Sequence, residues 1–389
     1  MDRVSLFLQA FGACPGEPVR HFSAGGRVNI IGEHIDYNGG NVFPAALGLR
    51  CHVYCRRNGM AAMRLAFTTT QARGEIDYAD LCAYKTTPYI NYQAGVCSVL
   101  RGAGIPLVGV DVLYDVEVPF GSGLSSSAAI EVATAFMLRT LAAEDGGPPP
   151  DRVSIALLAR KAENEYVGVN CGIMDQYASA CGRRGYAMRL DCASLECEYV
   201  PLELGDYTLV LIDTCTPHSL VTSKYNERRG ECEAALAALK RELPAVNALC
   251  EIPPAVFEAH AHLLPPVLAA RARHCVNEQA RVRAAVAAMK AGDIGGLGAL
   301  LNQSHASLRD LYRVSCVQLD AVADAAQAHP ACVGCRMTGA GFGGSCVAVV
   351  KKDAVADFIA AVQKEYRART DIECKIYQTT IADGVKEEK

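Results

Sequence analysis

Charged residues that could bind a polar substrate are concentrated in one short stretch of the sequence. Arg27, Glu33, His34 and Asp36 lie within ten residues of one another, interleaved with glycines. Two carboxylates and an imidazole suit the hydroxyls of a sugar-like substrate, and an arginine could meet a developing negative charge. Exposed charges on a turn are the alternative interpretation of this stretch.

A glycine- and serine-rich segment at 119–129 has the composition of an anion-binding loop. It follows a β-branched apolar run at 108–118 and precedes a pattern of helix formers. Backbone N–H groups at such a strand-to-helix turn, together with the positive end of the helix, favour a phosphate. The three consecutive serines add hydroxyls for phosphate or for Mg²⁺, which prefers oxygen ligands. A Walker A loop is excluded because the segment contains no lysine.

A third glycine-rich segment occurs at 338–345. Gly339, Gly341 and Gly344 have the spacing of a dinucleotide-binding fingerprint. That fingerprint requires a helix after the glycines, whereas a β-branched apolar run follows here, so a Rossmann site is excluded. We predict instead a glycine loop between two strands that lies against a ligand, with a plain glycine-rich hairpin as the alternative.

Two acidic residues in the middle of the chain could serve phosphoryl transfer. Asp175 is a lone acid in an apolar stretch, and Glu163 lies on the predicted helix before it. This chemistry needs one carboxylate beside the acceptor hydroxyl and another near a metal ion. Asp175 and Glu163 fit these two needs, although an acid in the position of Asp175 could also cap a helix.

Hydrophobic periodicity predicts the elements that position these segments. Strands are predicted at 19–31, 42–55, 108–118, 207–213, 333–338, 345–351 and 372–381. Helices are predicted at 125–142, from an Asp151 N-cap to about Tyr166, and at 225–242, 255–262, 267–290, 293–302, 315–327 and 353–366. We place a domain boundary just before Tyr207, so that domain 1–205 holds the first two segments and domain 206–389 holds the third.

The composition limits the possible partners. A chain of 389 residues suggests two domains, and its 51% hydrophobic and 21% charged residues are typical of a soluble protein. A net charge of −4 predicts no basic face for nucleic acid. The N-terminus lacks the layout of a signal peptide, and no apolar run approaches about 18 residues, so we expect no membrane partner and a cytoplasmic location.

The chain has 18 cysteines, which we expect to be reduced thiols that pack as small hydrophobic groups. Cys332 and Cys335 form a Cys-x-x-Cys pair with His329 nearby. Because zinc normally takes four ligands from two such pairs, and no second pair is present, we expect buried thiols here rather than a metal or redox site.

Taken together, the three glycine-rich segments resemble the signature motifs of the GHMP kinases. The stretch 26–40 resembles the galactokinase signature within that superfamily, and further agreement is found at 171–176, 223–232, 271–274 and 336–338. The resemblance implies an α+β fold of two domains, with a ribosomal S5 domain 2-like N-terminal domain, a ferredoxin-like C-terminal domain and the active site in the cleft between them. It also implies a monomeric enzyme that uses ATP and Mg²⁺ to phosphorylate the anomeric hydroxyl of α-D-galactose, giving galactose 1-phosphate and ADP.

The resemblance also implies roles for individual residues. Asp175 would be the base or the group that orients the sugar 1-hydroxyl, and Arg27 would stabilise the transferred phosphoryl group. The sugar pocket would be formed by Arg27, Glu33, His34, Asp36, Gly172, Asp175 and Tyr225. The nucleotide would be held by Gly121, Ser122, Gly123, Leu124, Ser125, Ser126, Ser127 and Ala128 at its phosphates, and by Tyr89 and Tyr92 at its adenine. Ser127 and Glu163 would serve Mg²⁺.

Two other functions remain open from the sequence. An N-acetylgalactosamine kinase is one, although such relatives tend to carry glycine in place of Cys171 and Ile173. A non-catalytic galactose sensor is the other, although such proteins lose small residues from the serine-rich motif, which is complete here. The sequence also departs from the family at Gly25, where proline is usual, and this predicts a looser turn before Arg27.

Overall fold

The computed structural model describes residues 2–14, 16–216 and 221–388, with the backbone alone at 221 and 222. Among these residues the strands are β1 (Arg20–Asn29), β2 (Asn41–Val42), β3 (Pro44–Arg57), β4 (Ala62–Phe67), β5 (Arg73–Asp77), β6 (Val110–Val116), β7 (Tyr186–Asp191), β8 (Cys197–Pro201), β9 (Tyr207–Asp213), β10 (Cys332–Thr338), β11 (Ser345–Lys351), β12 (Lys375–Gln378) and β13 (Lys386–Glu387). The α-helices are α1 (Arg3–Phe11), α2 (Asn91–Gly102), α3 (Ser126–Glu144), α4 (Arg152–Lys161), α5 (Met174–Cys181), α6 (Val221–Leu239), α7 (Pro254–His260), α8 (Pro266–Ala291), α9 (Ile294–Ser307), α10 (Val317–Ala328) and α11 (Val355–Thr370).

The strands form three sheets. The largest has the order β13-β1-β3-β6-β4-β5 and is antiparallel except where β4 pairs with β6. A second sheet has the order β10-β11-β9-β12, and β2, β7 and β8 form a third. Helices α3 and α5 pack on β1 and β3, whereas α9, α10 and α11 pack against the second sheet. The architecture is therefore the predicted mixed α and β arrangement.

Helix α8 connects the elements around the second sheet with the strands of the third sheet. It packs against α6 and α9 on one side and contacts β2 and β8 on the other. The helix begins with Pro266 in its first turn and ends at Gly292, whose φ of 69° is the left-handed conformation that often ends a helix. Its buried Glu278 accepts hydrogen bonds from the Gly32 N–H and the Ser304 hydroxyl, so it ties the first glycine-rich segment to α9.

Most predicted elements are confirmed, and β9 has the predicted bounds. Asp151 caps α4 as predicted, because its carboxylate accepts a hydrogen bond from the Ser154 N–H at 2.8 Å. The predicted position of the third glycine-rich segment between two strands is confirmed, because β10 and β11 flank it and pair antiparallel. The prediction of a looser turn at Gly25 was wrong, because Gly25 lies within β1 at a bulge, where a Cβ would meet the Leu47 carbonyl oxygen at 2.5 Å.

Several elements were not predicted, namely α1, α2, α5, β4, β5, β7, β8 and β13. Strand β5 is a charged edge strand, and α2 mixes glycine with β-branched residues, so neither shows a clean period. Strand β12 is shorter than the predicted strand 372–381. The domain boundary before Tyr207 stays a prediction, and β13 crosses it by pairing with β1.

The cysteines are all free thiols, and more than half of them are buried. Cys335 is fully buried in β10, and burial raises the pKa of Cys332. Among the described residues, no group of three or more His, Cys, Asp or Glu side chains is arranged to hold a metal ion. In the same part of the chain, no helix combines the length and apolar character needed to cross a bilayer.

Arg50 secures the segment that leads into β13. This buried side chain donates from Nη1 to the Asp383 carbonyl at 2.7 Å and from Nη2 to the Gly384 carbonyl at 2.9 Å. Its Nε donates to the Ser23 hydroxyl on β1 at 2.7 Å. One guanidinium thus satisfies acceptors both on β1 and in the segment that leads into β13.

We expect Arg50→Met to destabilise the protein by about 3 kcal/mol, because it leaves several buried acceptors unpaired. Urea unfolding in the absence of ligands measures this change. Arg367→Met is the matched control, since its partner Glu373 is mostly exposed and the pair should contribute less than about 1 kcal/mol. Equal losses of unfolding free energy in the two variants would contradict the proposal that Arg50 holds the segment leading into β13.

Candidate active site

A cavity of about 530 Å³ opens where the three glycine-rich segments meet. All the residues predicted for the sugar pocket line it, namely Arg27, Glu33, His34, Asp36, Gly172, Asp175 and Tyr225. Most of those predicted for nucleotide and metal line it too: Gly121, Gly123, Ser125, Ser126, Ser127, Tyr89, Tyr92 and Glu163. Ser122, Leu124 and Ala128 do not line the cavity, because their side chains pack inward.

The centre of the cavity is an ion pair between β1 and α5. Arg27 Nε donates to Asp175 Oδ1 at 2.9 Å, and Nη2 donates to Oδ2 at 3.0 Å. The third guanidinium nitrogen, Nη1, donates to the Gly123 carbonyl at 2.5 Å. Arg27 is almost fully buried, whereas the Asp175 side chain is 28% exposed towards the cavity. The rigid fork of the guanidinium therefore sets the orientation of the carboxylate.

Ser125 also holds Asp175. Its hydroxyl donates to Asp175 Oδ2 at 2.5 Å. The residue has a φ of 62°, a left-handed conformation that is rare for serine, and its hydroxyl makes no capping hydrogen bond to the helix that follows. The sequence predicted Ser125 as part of the phosphate cradle, whereas in this structure its side chain faces the carboxylate.

Glu33 anchors the first segment to the third. Its Oε1 accepts hydrogen bonds from Arg336 Nη2 at 2.8 Å, the Thr338 hydroxyl at 3.0 Å and the Gly339 N–H at 2.7 Å. Burial alone would raise the pKa of Glu33, but the guanidinium groups of Arg336 and Arg27 hold it below its ordinary value. Glu33 is therefore ionised, with its second oxygen left for another donor.

His34 makes a second link between the same segments. Its Nε2 lies 3.1 Å from the Ala340 carbonyl, and its Nδ1 lies 2.7 Å from the Tyr37 hydroxyl. Since a carbonyl can only accept, Nε2 carries the proton and Nδ1 accepts from Tyr37. Burial lowers the pKa of His34 to about 4, in keeping with a neutral ring. The ring of Tyr225 completes this wall, with its centroid 5.5 Å from that of His34.

Asp36 faces Gly172 across the pocket. A Cβ at position 172 would lie 2.0 Å from Asp36 Oδ2, so the close approach of this carboxylate requires glycine. Burial raises the pKa of Asp36 to about 7, and the negative charges of Asp175 and Glu33 add to the rise. The pocket thus brings the acidic side chains of Glu33, Asp36 and Asp175 around the buried Arg27.

The opposite wall is formed by the start of α3 and the hairpin loop. As at any helix start, the first N–H groups of α3 have no acceptor within the helix, and the positive end of its dipole lies here. Gly343 and Gly344 from the third segment line the same region. A Cβ on Gly344 would lie 3.2 Å from the Ser122 carbonyl, so the two loops are in close contact.

The outer end of the cavity is aromatic. Tyr89 and Phe120 both line it and are 51% and 45% exposed, which is unusual for large rings in a folded protein. Tyr92 and Phe67 lie in the same lining. Phe67 was missed by the sequence reasoning because β4 was not predicted, although the apolar run that it ends was a visible signal.

Glu163 lies in a wide helical turn, Ala162–Val167, that continues α4. The Gly168 N–H donates to the Glu163 carbonyl five residues earlier, at 2.9 Å. Such π turns are frequent at functional sites because they re-aim one side chain. Here the Glu163 carboxylate accepts hydrogen bonds from Ser127 and Gln176, and burial followed by the charge of Asp175 raises its pKa to about 7.

Family models match three parts of the chain. The N-terminal domain of the GHMP kinases matches residues 91–183, and their C-terminal domain matches 285–368. The galactokinase galactose-binding signature matches residues 5–57. A crystal structure of mevalonate kinase is similar in fold alone, with a TM-score of 0.66 at 15% identity over 93% of this chain and 99% of that one. Fold and site together define a GHMP kinase.

Similarity to individual proteins narrows this class. The galactokinase of Staphylococcus carnosus is 41% identical over 93% of both chains, and that of Exiguobacterium sibiricum is 39% identical over 98% of this chain and 96% of its own. The Lactococcus lactis galactokinase, solved in complex with galactose, has a TM-score of 0.94 and 37% identity over 99% of this chain and 98% of that one. The chain belongs to the galactokinase family.

We expect Asp36→Asn to stabilise the ligand-free protein by roughly 2 kcal/mol at pH 8. The raised pKa of Asp36 means that the folded state binds its proton more tightly than the unfolded state does. The resulting penalty is full above pH 7 and disappears as the pH falls towards 4. The gain from the substitution should therefore shrink on acidification.

Unfolding in urea at pH 8, 6.5 and 5 measures this dependence. Asp310→Asn is the control of opposite sign, because Arg309 lowers the pKa of Asp310 and the substitution should cost a little stability at pH 8. A loss of stability at pH 8 in Asp36→Asn, or a gain that does not change with pH, would refute the expectation.

Proposed function

We propose that the protein transfers the γ-phosphoryl group of ATP to the anomeric hydroxyl of α-D-galactose, giving galactose 1-phosphate and ADP. The observation that carries this proposal is the Arg27–Asp175 pair, which lies between the polar pocket and the glycine- and serine-rich loop. Phosphoryl transfer relies on positioning and on charge neutralisation, and a single cavity with these two ends supplies both. The galactose complex of the Lactococcus lactis relative supports the choice of sugar.

Asp175 is the proposed acceptor of the sugar proton. A carboxylate has about four lone-pair sites, and three of those on Asp175 are used by Arg27 and Ser125. The remaining site can accept a hydrogen bond from the 1-hydroxyl and receive its proton as the O–P bond forms and ADP leaves. Because Arg27 and Ser125 keep the carboxylate in place, the reacting oxygen is oriented before transfer begins.

Arg27 is proposed to stabilise the transferred group. Its Nη1 contacts the Gly123 carbonyl in the phosphate loop while its other nitrogens hold Asp175. A buried guanidinium between acceptor and donor lies where negative charge grows during transfer. The same side chain thus orients the acceptor and neutralises the phosphoryl oxygens.

The sugar hydroxyls are assigned to the polar walls. Glu33 and Asp36 supply carboxylate oxygens, the Tyr225 ring closes one side, and Gly172 leaves room for Asp36. The phosphates of ATP are assigned to the loop 121–128, where backbone N–H groups of residues such as Ser122, Leu124 and Ala128 would serve rather than their side chains. The adenine is assigned to the aromatic end, beside Tyr89 and Tyr92.

The residues present fit a magnesium ion beside the phosphates. Mg²⁺ needs one or two protein oxygens and takes the rest from phosphates and water, so the lack of a larger acidic cluster among the described residues does not oppose it. Ser127 and Glu163 would hold the ion, because they are hydrogen-bonded to each other at the cavity and a cation would offset the unfavourable burial of Glu163. When bound, the ion supplies charge neutralisation of the phosphate oxygens.

An ADP-release assay with Mg-ATP tests the proposed function across galactose, N-acetylgalactosamine, glucose, mannose, arabinose and mevalonate. We expect strong turnover with galactose and little with the N-acetyl sugar, since Cys171 occupies part of the cavity lining. Turnover with another acceptor alone would overturn the choice of substrate. Galactose binding without turnover of any acceptor would indicate a sensor.

We expect Asp175→Asn to lower kcat by about 10³-fold, because the amide cannot take the sugar proton. Galactose binding, followed by calorimetry, should stay measurable because the pocket walls are unchanged. Asp357→Asn, at an exposed position, is the control for the substitution itself. Turnover within tenfold of the parent enzyme would remove Asp175 from the mechanism.

A further inference from the structure

A group of buried polar side chains adjoins Glu163, and the proposed mechanism does not use it. Glu131 on α3 and Gln176 on α5 are both 0% exposed and do not line the cavity. Gln176 Nε2 donates to Glu163 Oε2 at 2.5 Å and lies 3.3 Å from Glu131 Oε2. A single amide nitrogen therefore bridges two carboxyl groups.

Burying the carboxyl groups of Glu131 and Glu163 side by side would be energetically unfavourable without the Gln176 amide. The charged groups that act most strongly on Glu131 are Glu163 and Asp175, both acidic, and Glu131 lies within hydrogen-bonding distance of Glu163. Like groups packed side by side in a buried site repel each other, and buried polar atoms without partners are unfavourable. The N–H donor of Gln176 serves both carboxyl groups at this contact.

We propose that Gln176 is a positioning residue for Glu163, setting the orientation in which that carboxylate binds magnesium, with Glu131 as a fixed support behind it. The inference rests on the proposed role of Glu163 and Ser127 as metal ligands. Cys171 approaches the same oxygen, with its Sγ 3.5 Å from Glu163 Oε2. Oε2 of Glu163 is thus held from the protein side, in a residue that lines the cavity.

The chain position of Gln176 gives it a second consequence. It directly follows Asp175 in the first turn of α5, so one rigid turn carries both the group beside the acceptor hydroxyl and the support of the metal ligand. Asp175 is held by Arg27, and Gln176 holds Glu163. Two adjacent residues, Asp175 and Gln176, therefore fix the position of the sugar end of the site relative to its metal end.

The test compares ADP binding with and without Mg²⁺ in the full-length protein by calorimetry. The dissociation constant of ADP without Mg²⁺, divided by the dissociation constant with Mg²⁺, measures the coupling between metal and nucleotide. Partners of metal ligands commonly change metal affinity about 10- to 100-fold. We expect Gln176→Leu to lower the ratio about tenfold, with ADP binding in EDTA and galactose binding within about threefold of the parent.

A rescue variant separates positioning from a general packing defect. In Gln176→Leu/Glu131→Gln, the new amide at position 131 lies beside Glu163 and supplies the missing donor, so the ratio should recover in part. If the leucine variant does not fold, Gln176→Asn gives the same test, because it keeps the amide but withdraws it by one methylene. Ser179→Ala is the matched control: Ser179 is equally buried on α5, its hydroxyl donates to the Gly25 carbonyl, and the ratio of its variant should stay within twofold of the parent.

Glu163→Gln, measured in parallel, distinguishes the two levels of the proposal. A loss of coupling in Glu163→Gln together with an unchanged ratio in Gln176→Leu would overturn the positioning role and leave the metal site in place. An unchanged ratio in Glu163→Gln would overturn the metal site and the positioning role together. Loss in both single variants with recovery in the double variant would support the inference.

Discussion

The arrangement of this protein depends on one buried ion pair, between Glu33 and Arg336. Arg336 is fully buried and also donates to the carbonyls of Ile30 and Asn29, so its charge is satisfied only when the first and third glycine-rich segments meet. Breaking such a pair by removing one partner commonly costs several kcal/mol, because it leaves a buried charge alone. The pair therefore enforces the closure that creates the cavity.

Without bound ligands, the acidic side chains of this cavity lack enough positively charged partners. Glu33, Asp36 and Asp175 surround Arg27, Glu163 lies in the same cavity lining, and burial raises the pKa of both Asp36 and Glu163 to about 7. Such crowding destabilises the free protein, and it is tolerated because it prepares acceptors for sugar hydroxyls and a hard cation. Stability comes instead from packing elsewhere, such as the contacts of α8 with α6 and α9 and with β2 and β8.

The sequence predicted those parts of the structure that depend on local pattern. Helix α3, strand β9 and the β10–β11 hairpin follow from periodicity and turn residues, whereas the edge strand β5 lacks an apolar face and was missed. The resemblance to the galactokinase family identified which residues belong to the site. It could not supply the bridge from Gln176 to Glu131, because this contact depends on how distant segments pack. The orientation of Ser125 likewise follows from a backbone angle that composition does not encode.

The pairing of β13 with β1 has a consequence for biosynthesis. The Ser23 hydroxyl and the Glu388 carboxylate, which bond across this seam, are 365 residues apart. A nascent chain emerges N-terminus first at about 5–20 residues per second, so β1 waits for its outer neighbour while several hundred further residues are made. During that interval its edge is open to strands of neighbouring nascent chains, and the largest sheet is sealed only once β13 has been made.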